Sequence, residues 1–316
     1  MSRFRFQSPL SAAIVLTIVS VSDNSVYGAA ASRPTSVHPV WTKGWSAGYL
    51  IAVAETRDCE DARLGRPTRF SMTWTLHLNL ESGPIDRDGL RSLRCRFDRI
   101  ELKGESDGRA FGYDSKRDKA GAGNPYADLL GNLVSPSLKE FQIRASPDGA
   151  FVEVRGLDSM WREKHLLVAP AGVLPVQLLF RDQAMLRLLE DAISPPLPAN
   201  VAEGPSGMPA YAVTLPAEIP LVTPLVWCAS FRVLGRDSTG GQPCIHIASS
   251  GPLHVQRHPD DPSAAGLLAT VEKGERQADI RLDEKTGHVV RQTISQEIVL
   301  SLQLKAPAGG DLPRMT

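Results

Sequence analysis

The sequence predicts an α+β fold that is mostly antiparallel β, built as one or more curved sheets or a half-barrel, with two or three helices in the middle of the chain. Three observations predict it. Apolar and polar residues alternate along several long segments, turn-forming residues separate those segments, and helical spacing occurs only near the centre. The regular alternation of strands and helices that a parallel sheet requires is missing.

Residues 1–30 have the layout of a secretory signal peptide. Arg3 and Arg5 precede an apolar stretch, P-L-S-A-A-I-V-L-T-I-V-S-V, and small residues around Ala30 follow it. The apolar stretch is shorter than the roughly 20 residues that a membrane-spanning helix requires. No cysteine for lipid attachment occurs between it and Cys59. We therefore expect cleavage near Ala30 and an exported protein, periplasmic or extracellular, with no transmembrane span.

Residues 31–194 form the predicted N-terminal β-rich half, which contains the clearest strand. In T-R-F-S-M-T-W-T-L-H-L-N-L every apolar residue holds an even position, which places them all on one face. The next segment alternates through Phe97 and then changes phase to Ile100, as a β-bulge would produce. Pro147-Asp148-Gly149 between two short strands predicts a hairpin.

Two segments in this half have helical spacing. The first begins at Asn124-Pro125, a favourable N-cap followed by a favourable first helical residue, and ends at Pro136. The second begins at Asp182, a candidate N-cap, and carries apolar residues at helical spacing until Pro195. Residues 195–220 are rich in proline and glycine and predict a connector.

Residues 221–305 form the predicted C-terminal antiparallel half, and residues 306–316 a flexible tail. The polar insert D-E-K-T-G, at residues 283–287, separates two segments in which most of the apolar residues hold even positions. Both flanks therefore have the pattern of strands, and the insert predicts a hairpin turn that Gly287 closes in the left-handed conformation. Gln292 and Gln296 share the inward phase of the second strand.

The four cysteines predict disulfides, because an even number of them occurs in a chain that leaves the reducing cytoplasm. Of the three possible connectivities, we favour Cys59–Cys95 and Cys228–Cys244. The members of each pair are near in sequence, and strand-like segments that could be neighbours flank them.

The segment G-W-S-A-G matches G-x-S-x-G, the nucleophile motif of serine hydrolases, and makes Ser46 the candidate nucleophile. That motif needs a turn from a strand into a helix, whereas a strand-like segment follows Ser46. His258 or His288, with Asp260 or Asp283, would complete a triad, although the spacing selects none of them. The sequence therefore favours a protein that is not an enzyme.

His254 and His258 are the candidate metal ligands. Histidines four residues apart share a face only on a helix, and the prolines that flank them, Pro252 and Pro259, disfavour one. We expect a polar loop here, with no metal and no cofactor. The 35 Lys and Arg residues balance 35 Asp and Glu residues, so nucleic acid is not an expected partner.

A resemblance rests on the order of several segments: S-P-D-G-A-F-V-E-V-R-G-L-D, a helical middle, L-P-A-E-I-P, V-W-C-A-S-F-R-V-L-G and I-R-L-D-E-K-T-G-H-V-V-R. In this order they resemble a family of exported bacterial β-rich proteins known only as a domain of unknown function, over roughly residues 137–304. The resemblance implies no active site. The fold is more loosely similar to periplasmic lipoprotein carriers, in which a curved antiparallel sheet shelters an acyl chain.

These observations predict an exported, non-catalytic binding or interaction protein of the bacterial cell envelope. Its partner would be an apolar small molecule or lipid between sheet and helices, or another envelope protein. The alternative is a structural or partner-binding envelope protein with no ligand cavity. A serine hydrolase that uses Ser46 is the more distant alternative.

The signal peptide can be checked on protein recovered from the periplasm of an expressing bacterium. Because a signal peptidase cuts after small residues, N-terminal sequencing should give a chain that begins near Ala31. Replacement of Gly28, Ala29 and Ala30 by bulky residues is the control and should prevent the cut. A periplasmic chain that begins at Met1 would contradict the prediction.

Overall fold

The computed structural model describes residues 9–21, 37–61, 66–106, 108–119, 125–131, 133–134, 140–163, 180–198, 209–219, 223–255 and 267–304. Its elements are β1 Pro9–Val21, β2 Ser46–Asp61, β3 Arg66–Ile85, β4 Arg91–Ser106, β5 Arg109–Asp114, α1 Pro125–Leu130, β6 Phe141–Ala145, β7 Phe151–Arg155, α2 Leu157–Glu163, α3 Asp182–Ile193, β8 Pro209–Ile219, β9 Thr223–Thr239, β10 Gln242–Val255, β11 Leu267–Asp283 and β12 Val289–Leu304.

The strands form one 12-stranded antiparallel sheet in the order β7-β6-β4-β3-β2-β1-β12-β11-β10-β9-β8, with β5 beside β4. This confirms the predicted α+β, mostly antiparallel fold with helices in the middle of the chain. Strand β1 lies between β2 and β12, so the two β-rich halves belong to one sheet. Their buried side chains also form one core cluster, which extends from Val37 to Ile298.

The sheet curves around helix α3. Near the C-terminal end of α3, Ser194 donates a hydrogen bond to the Gly149 carbonyl in the β6–β7 turn. One helical turn earlier, Asp191 pairs with Arg276 on β11. Strands β7 and β11 are seven positions apart, which is about 34 Å on a flat sheet at about 4.8 Å per strand. One turn of helix can contact both only if the sheet is concave towards it.

Strand β3 shows how the alternation builds the core. Its even-numbered apolar residues from Met72 to Leu80 are buried, while the intervening side chains are partly or fully exposed. The predicted bulge in β4 is confirmed, because Leu78 pairs with Phe97 whereas His77 pairs with Arg99. The extra residue moves the inward phase of β4 from odd to even positions.

The helices differ in detail from the prediction. Asp182 is not the N-cap of α3, since that position is Arg181 and has no side-chain cap. The Asp182 carboxylate instead accepts hydrogen bonds from the backbone N–H groups of Leu157 and Asp158, at the start of α2. A carboxylate at the positive end of α2 stabilises that helix. None of the described helices is long and apolar enough to cross a membrane.

The predicted connector, residues 195–220, needs correction, because residues 209–219 form strand β8. Its prolines are compatible with a strand here because β8 is the last strand of the sheet and pairs on one side only. Residues 199–208 and the predicted tail, 306–316, lie outside the described residues.

The apolar part of the predicted signal peptide forms β1 in the full-length chain. Thirteen residues, Pro9–Val21, pair with β2 on one side and β12 on the other. A short apolar run can serve as the apolar region of a signal peptide and can also form a strand that pairs on both sides. The same residues therefore fit the predicted signal peptide and strand β1. The prediction of a cleaved signal peptide remains a prediction.

An aromatic cluster joins the two halves at one end of the sheet. The Trp41 indole N–H donates to the carbonyl of Gly149, 3.0 Å away. The Trp41 ring stacks on His288 just before β12, with 4.7 Å between ring centroids, and on Phe151 of β7 at 5.5 Å. Trp45 packs edge-on against both Trp41 and His288. One buried indole therefore contacts both β7 and the residue immediately before β12.

The hairpin predicted at residues 283–287 is confirmed. The Asp283 carboxylate accepts hydrogen bonds from the backbone N–H groups of Lys285 and Thr286 and from the Thr286 hydroxyl. Gly287 has a φ of 69° and closes the turn. The turn is also a docking point, since the Val40 N–H donates to the Thr286 carbonyl at 3.0 Å.

Replacement of Gly287 by alanine should destabilise the protein for two reasons. The left-handed backbone costs a residue with a Cβ about 1–2 kcal/mol, and the new Cβ would overlap the His38 carbonyl, which adds about 1–3 kcal/mol. Gly240→Ala is the matched control, because Gly240 has a φ of 59° and no atom within 4 Å of the added Cβ. Urea unfolding should therefore show a larger loss for Gly287→Ala. Equal losses would contradict the docking of residues 37–40 on the turn.

Candidate functional site

The candidate site is a buried ion pair between α3 and the inward face of the C-terminal half. An Nη2 atom of Arg276 lies 2.7 Å from an Oδ1 atom of Asp191. The Arg276 side chain is only 7% exposed, whereas the Asp191 side chain is 35% exposed. The pair therefore consists of a cation inside the protein and an anion that still reaches solvent.

The alternation of β11 directs Arg276 inwards. Ala278, Ile280 and Leu282 are buried at even positions of this strand, and Arg276 continues that phase. Its guanidinium lies over the ring of Trp227 on β9, with Cζ 4.7 Å from the ring centroid. A desolvated cation over an indole face is stabilised by about 2 kcal/mol. The Trp227 ring and the Asp191 carboxylate together stabilise the Arg276 charge, which would be unfavourable on an otherwise apolar face.

Three polar atoms around this pair are buried and have no hydrogen-bond partner among the described residues. They are the Nε atom of Arg276, the indole Nε1 atom of Trp227 and the Oε1 atom of Gln292. Each of the three residues is at least nine-tenths buried. Buried polar groups are normally hydrogen-bonded, and each one that is not costs about 1–3 kcal/mol.

These atoms surround one cavity with a free volume of about 10 Å³. A single water molecule needs about that much space. The cavity is lined by Asp191, Pro195, Pro196, Trp227, Phe231, Arg276, Ala278, Ile280 and Gln292. The walls are thus mainly apolar, with one cation, one carboxylate and two further hydrogen-bonding groups. This arrangement can bind a polar group whose remaining part is apolar.

Ser46, the candidate nucleophile, lies at the first position of β2 and not at a strand-to-helix turn. Its side chain is exposed, while Trp45 packs on the core and Ala47 is buried. Ser46 therefore faces the outer side of the sheet, opposite to the side on which Trp45 contacts His288. Along the strand register it pairs with Glu81 of β3.

The proposed triad partners have other roles where the structure describes them. The Nε2 atom of His288 lies 3.2 Å from the Val40 carbonyl, to which it donates a hydrogen bond. Asp283 binds groups within its own turn. His258 and Asp260 lie outside the described residues. Glu81 is the strand partner of Ser46, but the described contacts bring no histidine to Ser46.

The candidate metal ligands are only partly described. His254 lies near the end of β10 with an exposed side chain, and His258 lies outside the described residues. Within the described ranges, no three histidine, cysteine or acidic side chains are grouped so that they could hold a metal ion.

The first favoured disulfide is not compatible with the strand register. Cys59 pairs with Thr68, and Cys95 pairs with Leu80, on the same strand β3. Positions 68 and 80 are about 40 Å apart along the strand at about 3.4 Å per residue, whereas a disulfide needs Cα atoms within about 7 Å. Cys95 is a free, buried thiol, and burial raises its pKa.

The second favoured disulfide is excluded for the same reason. Cys244 pairs with Asp237 of β9, and Cys228 lies on that same strand. Positions 228 and 237 are about 30 Å apart. Cys228 is exposed and Cys244 is buried, and both are free. Proximity in sequence did not predict proximity here because long strands separate residues that lie at opposite ends of a hairpin.

Sequence reasoning found part of this site and missed the rest. Gln292 was expected to face inwards, and it does. Arg276 was missed, although it occupies the inward phase of the alternating run that contains Ala278 and Ile280. A charged residue at an inward position was the available signal. The approach of Asp191 had no such signal, because it depends on how α3 lies across the sheet.

Comparison with known proteins adds no assignment. No protein-family model matches the chain, and no curated protein sequence is significantly similar to it.

We expect His288 to make the protein less stable in mild acid. Burial lowers its pKa from 6.5 to about 4, although the hydrogen bond to Val40 opposes this shift. In the unfolded chain histidine keeps its usual pKa of about 6.5. The stability that neutral His288 supplies is therefore complete above pH 6.5 and is lost as the pH falls towards 4, by about 3 kcal/mol in total.

Urea unfolding between pH 7 and pH 5 would measure this effect. His288→Gln keeps a donor for the Val40 carbonyl and should lose most of the pH dependence, while its stability at pH 7 is lower. His254→Gln, which changes an exposed histidine, is the control and should keep the wild-type slope. If His288→Gln keeps that slope as well, His288 is not the titrating group.

Proposed function

We propose that the protein is an exported, non-catalytic binding protein of the bacterial cell envelope, which holds an apolar or amphipathic small molecule between the concave face of its sheet and helix α3. The observation that carries the proposal is the cavity beside α3, where buried polar groups of Arg276, Trp227 and Gln292 find no partner in the described part of the chain.

The energetic balance supports binding over a purely structural role. Arg276, Trp227 and Gln292 bring polar groups into the interior, where each needs a hydrogen-bond partner, either a water molecule in the present cavity or a ligand. Apolar residues of similar volume in place of a buried ion pair often leave stability unchanged or improve it. If this cluster served only to stabilise the fold, apolar residues in its place would make the protein at least as stable. A ligand with a polar group would satisfy these atoms and make use of them.

The apolar walls support an apolar part of the ligand. Phe231, Ile280 and the prolines after α3 line the cavity, and ligand sites are usually apolar with a few well-placed polar groups. The present volume suits one water molecule, so a larger ligand requires α3 to move. The hydrogen bond from Ser194 to the Gly149 carbonyl holds the end of α3 at the N-terminal half, so α3 would open on the C-terminal side.

The proposal can be tested on protein purified from its own host under native conditions. Native mass spectrometry should show an added mass, and organic extraction should release an apolar or amphipathic compound. Ala278→Leu fills the cavity from β11 and should reduce the bound fraction several-fold. Ala54→Leu, on the outer face of β2, is the control and should leave it unchanged.

Two outcomes would count against the proposal. Recovery of bare polypeptide by both methods would favour an envelope protein with no ligand cavity. Equal ligand content in both leucine variants would place the ligand elsewhere on the molecule.

A further inference from the structure

We propose that Arg276 recognises a carboxylate head group on an amphipathic, acyl-type ligand, and that the Asp191 carboxylate occupies the head-group position when no ligand is bound. This inference rests on the proposed binding function and names the chemical class of the ligand. It depends on four features: the burial of Arg276, its incomplete pairing, the nature of its present partner and the unequal exposure of the two charges.

A buried guanidinium must keep an anion. Removal of one partner from a buried ion pair leaves an uncompensated charge and is strongly unfavourable. The Arg276 side chain is 7% exposed, so water cannot replace Asp191 as its partner. Any group that displaces Asp191 must therefore itself be negatively charged, which excludes neutral and cationic head groups at this position.

The present pairing uses only part of the guanidinium. Asp191 contacts Nη2, while no group of the described ranges accepts a hydrogen bond from the Nε–H of Arg276. A free carboxylate can bind the Nε and Nη2 donors together in the two-bond geometry that arginine favours. The indole N–H of Trp227 is a further unpaired donor in the same cavity. A ligand carboxylate can thus gain hydrogen bonds that Asp191 does not make.

The identity of the present occupant selects the class of head group. A carboxylate oxygen already lies 2.7 Å from Nη2 of Arg276, so the position accepts an anionic oxygen of that group. Asp191 can also leave at low cost, because its side chain is 35% exposed and can be solvated when it turns away. The exchange replaces one carboxylate by another and leaves the number of buried charges unchanged.

The test compares three probes with the same chain, dodecanoate, dodecanol and dodecyltrimethylammonium, each below its micelle concentration. Binding to the protein is followed by tryptophan fluorescence and by calorimetry. We expect dodecanoate to bind at least 10-fold more tightly than dodecanol, and dodecyltrimethylammonium to bind more weakly than either. Asp191→Asn should tighten dodecanoate binding several-fold and leave dodecanol binding unchanged, because a competing carboxylate is removed.

Two further variants locate the head group. Asp191→Asn combined with Arg276→Met removes both charges together, which avoids an unpaired buried charge, and should abolish the preference for dodecanoate while dodecanol still binds. Arg281→Gln is the control, since Arg281 lies on the same strand but pairs with Asp237 and Asp279 outside the cavity. It should bind all three probes as the wild type does. Circular dichroism confirms that each variant is folded.

The outcomes separate this inference from the proposed function. Equal binding of dodecanoate and dodecanol to the wild type would overturn the head-group assignment and leave the binding function standing. A dodecanoate preference that survives in the double variant would place the head group away from Arg276. If no probe binds the wild type, the proposed binding function fails and this inference fails with it.

Discussion

The Gly149 carbonyl in the β6–β7 turn is the constraint on which the curved sheet depends. It accepts hydrogen bonds from the Trp41 indole and from the Ser194 hydroxyl at the end of α3. The Trp41 ring also stacks on His288, the residue immediately before β12. Strand β12 is six positions away from β7 along the sheet, so these contacts can form together only when the sheet bends. The concave face, and the site on it, follow from this closure.

Helix α3 connects that closure to the candidate site. Ser194 fixes its C-terminal end at the N-terminal half, and Asp191, one turn earlier, reaches Arg276 in the C-terminal half. The same helix buries Met185 and Leu189 against the core. Its apolar side therefore supplies stability, while one carboxylate on its other side contacts a buried cation. A buried ion pair adds little net stability to a fold. The Asp191 carboxylate in this pair is instead suited to being replaced by the negatively charged group of a ligand.

Much of the strand structure could be predicted from the sequence, because side-chain alternation directly reports which face is buried. The β4 bulge was predicted from a change in the phase of this alternation. The turns at residues 147–149 and 283–287 were predicted from their own proline, aspartate and glycine residues, whose backbone preferences set the turn. Strand β8 was missed because its prolines indicate a connector wherever the neighbouring strands are unknown. The disulfides were misplaced because sequence separation says nothing about where two residues lie along long paired strands.

The sequence by itself determined the fold class, the inward phase of Gln292, and the turn that orders the last hairpin. These are local properties, set by alternation and by the backbone preferences of glycine and aspartate. Only the tertiary structure decided that β1 joins the two halves, that Asp182 caps α2, and that Asp191 meets Arg276. Such contacts depend on the curvature of the sheet and on the direction of α3, which arise when distant segments pack together and which no local pattern records.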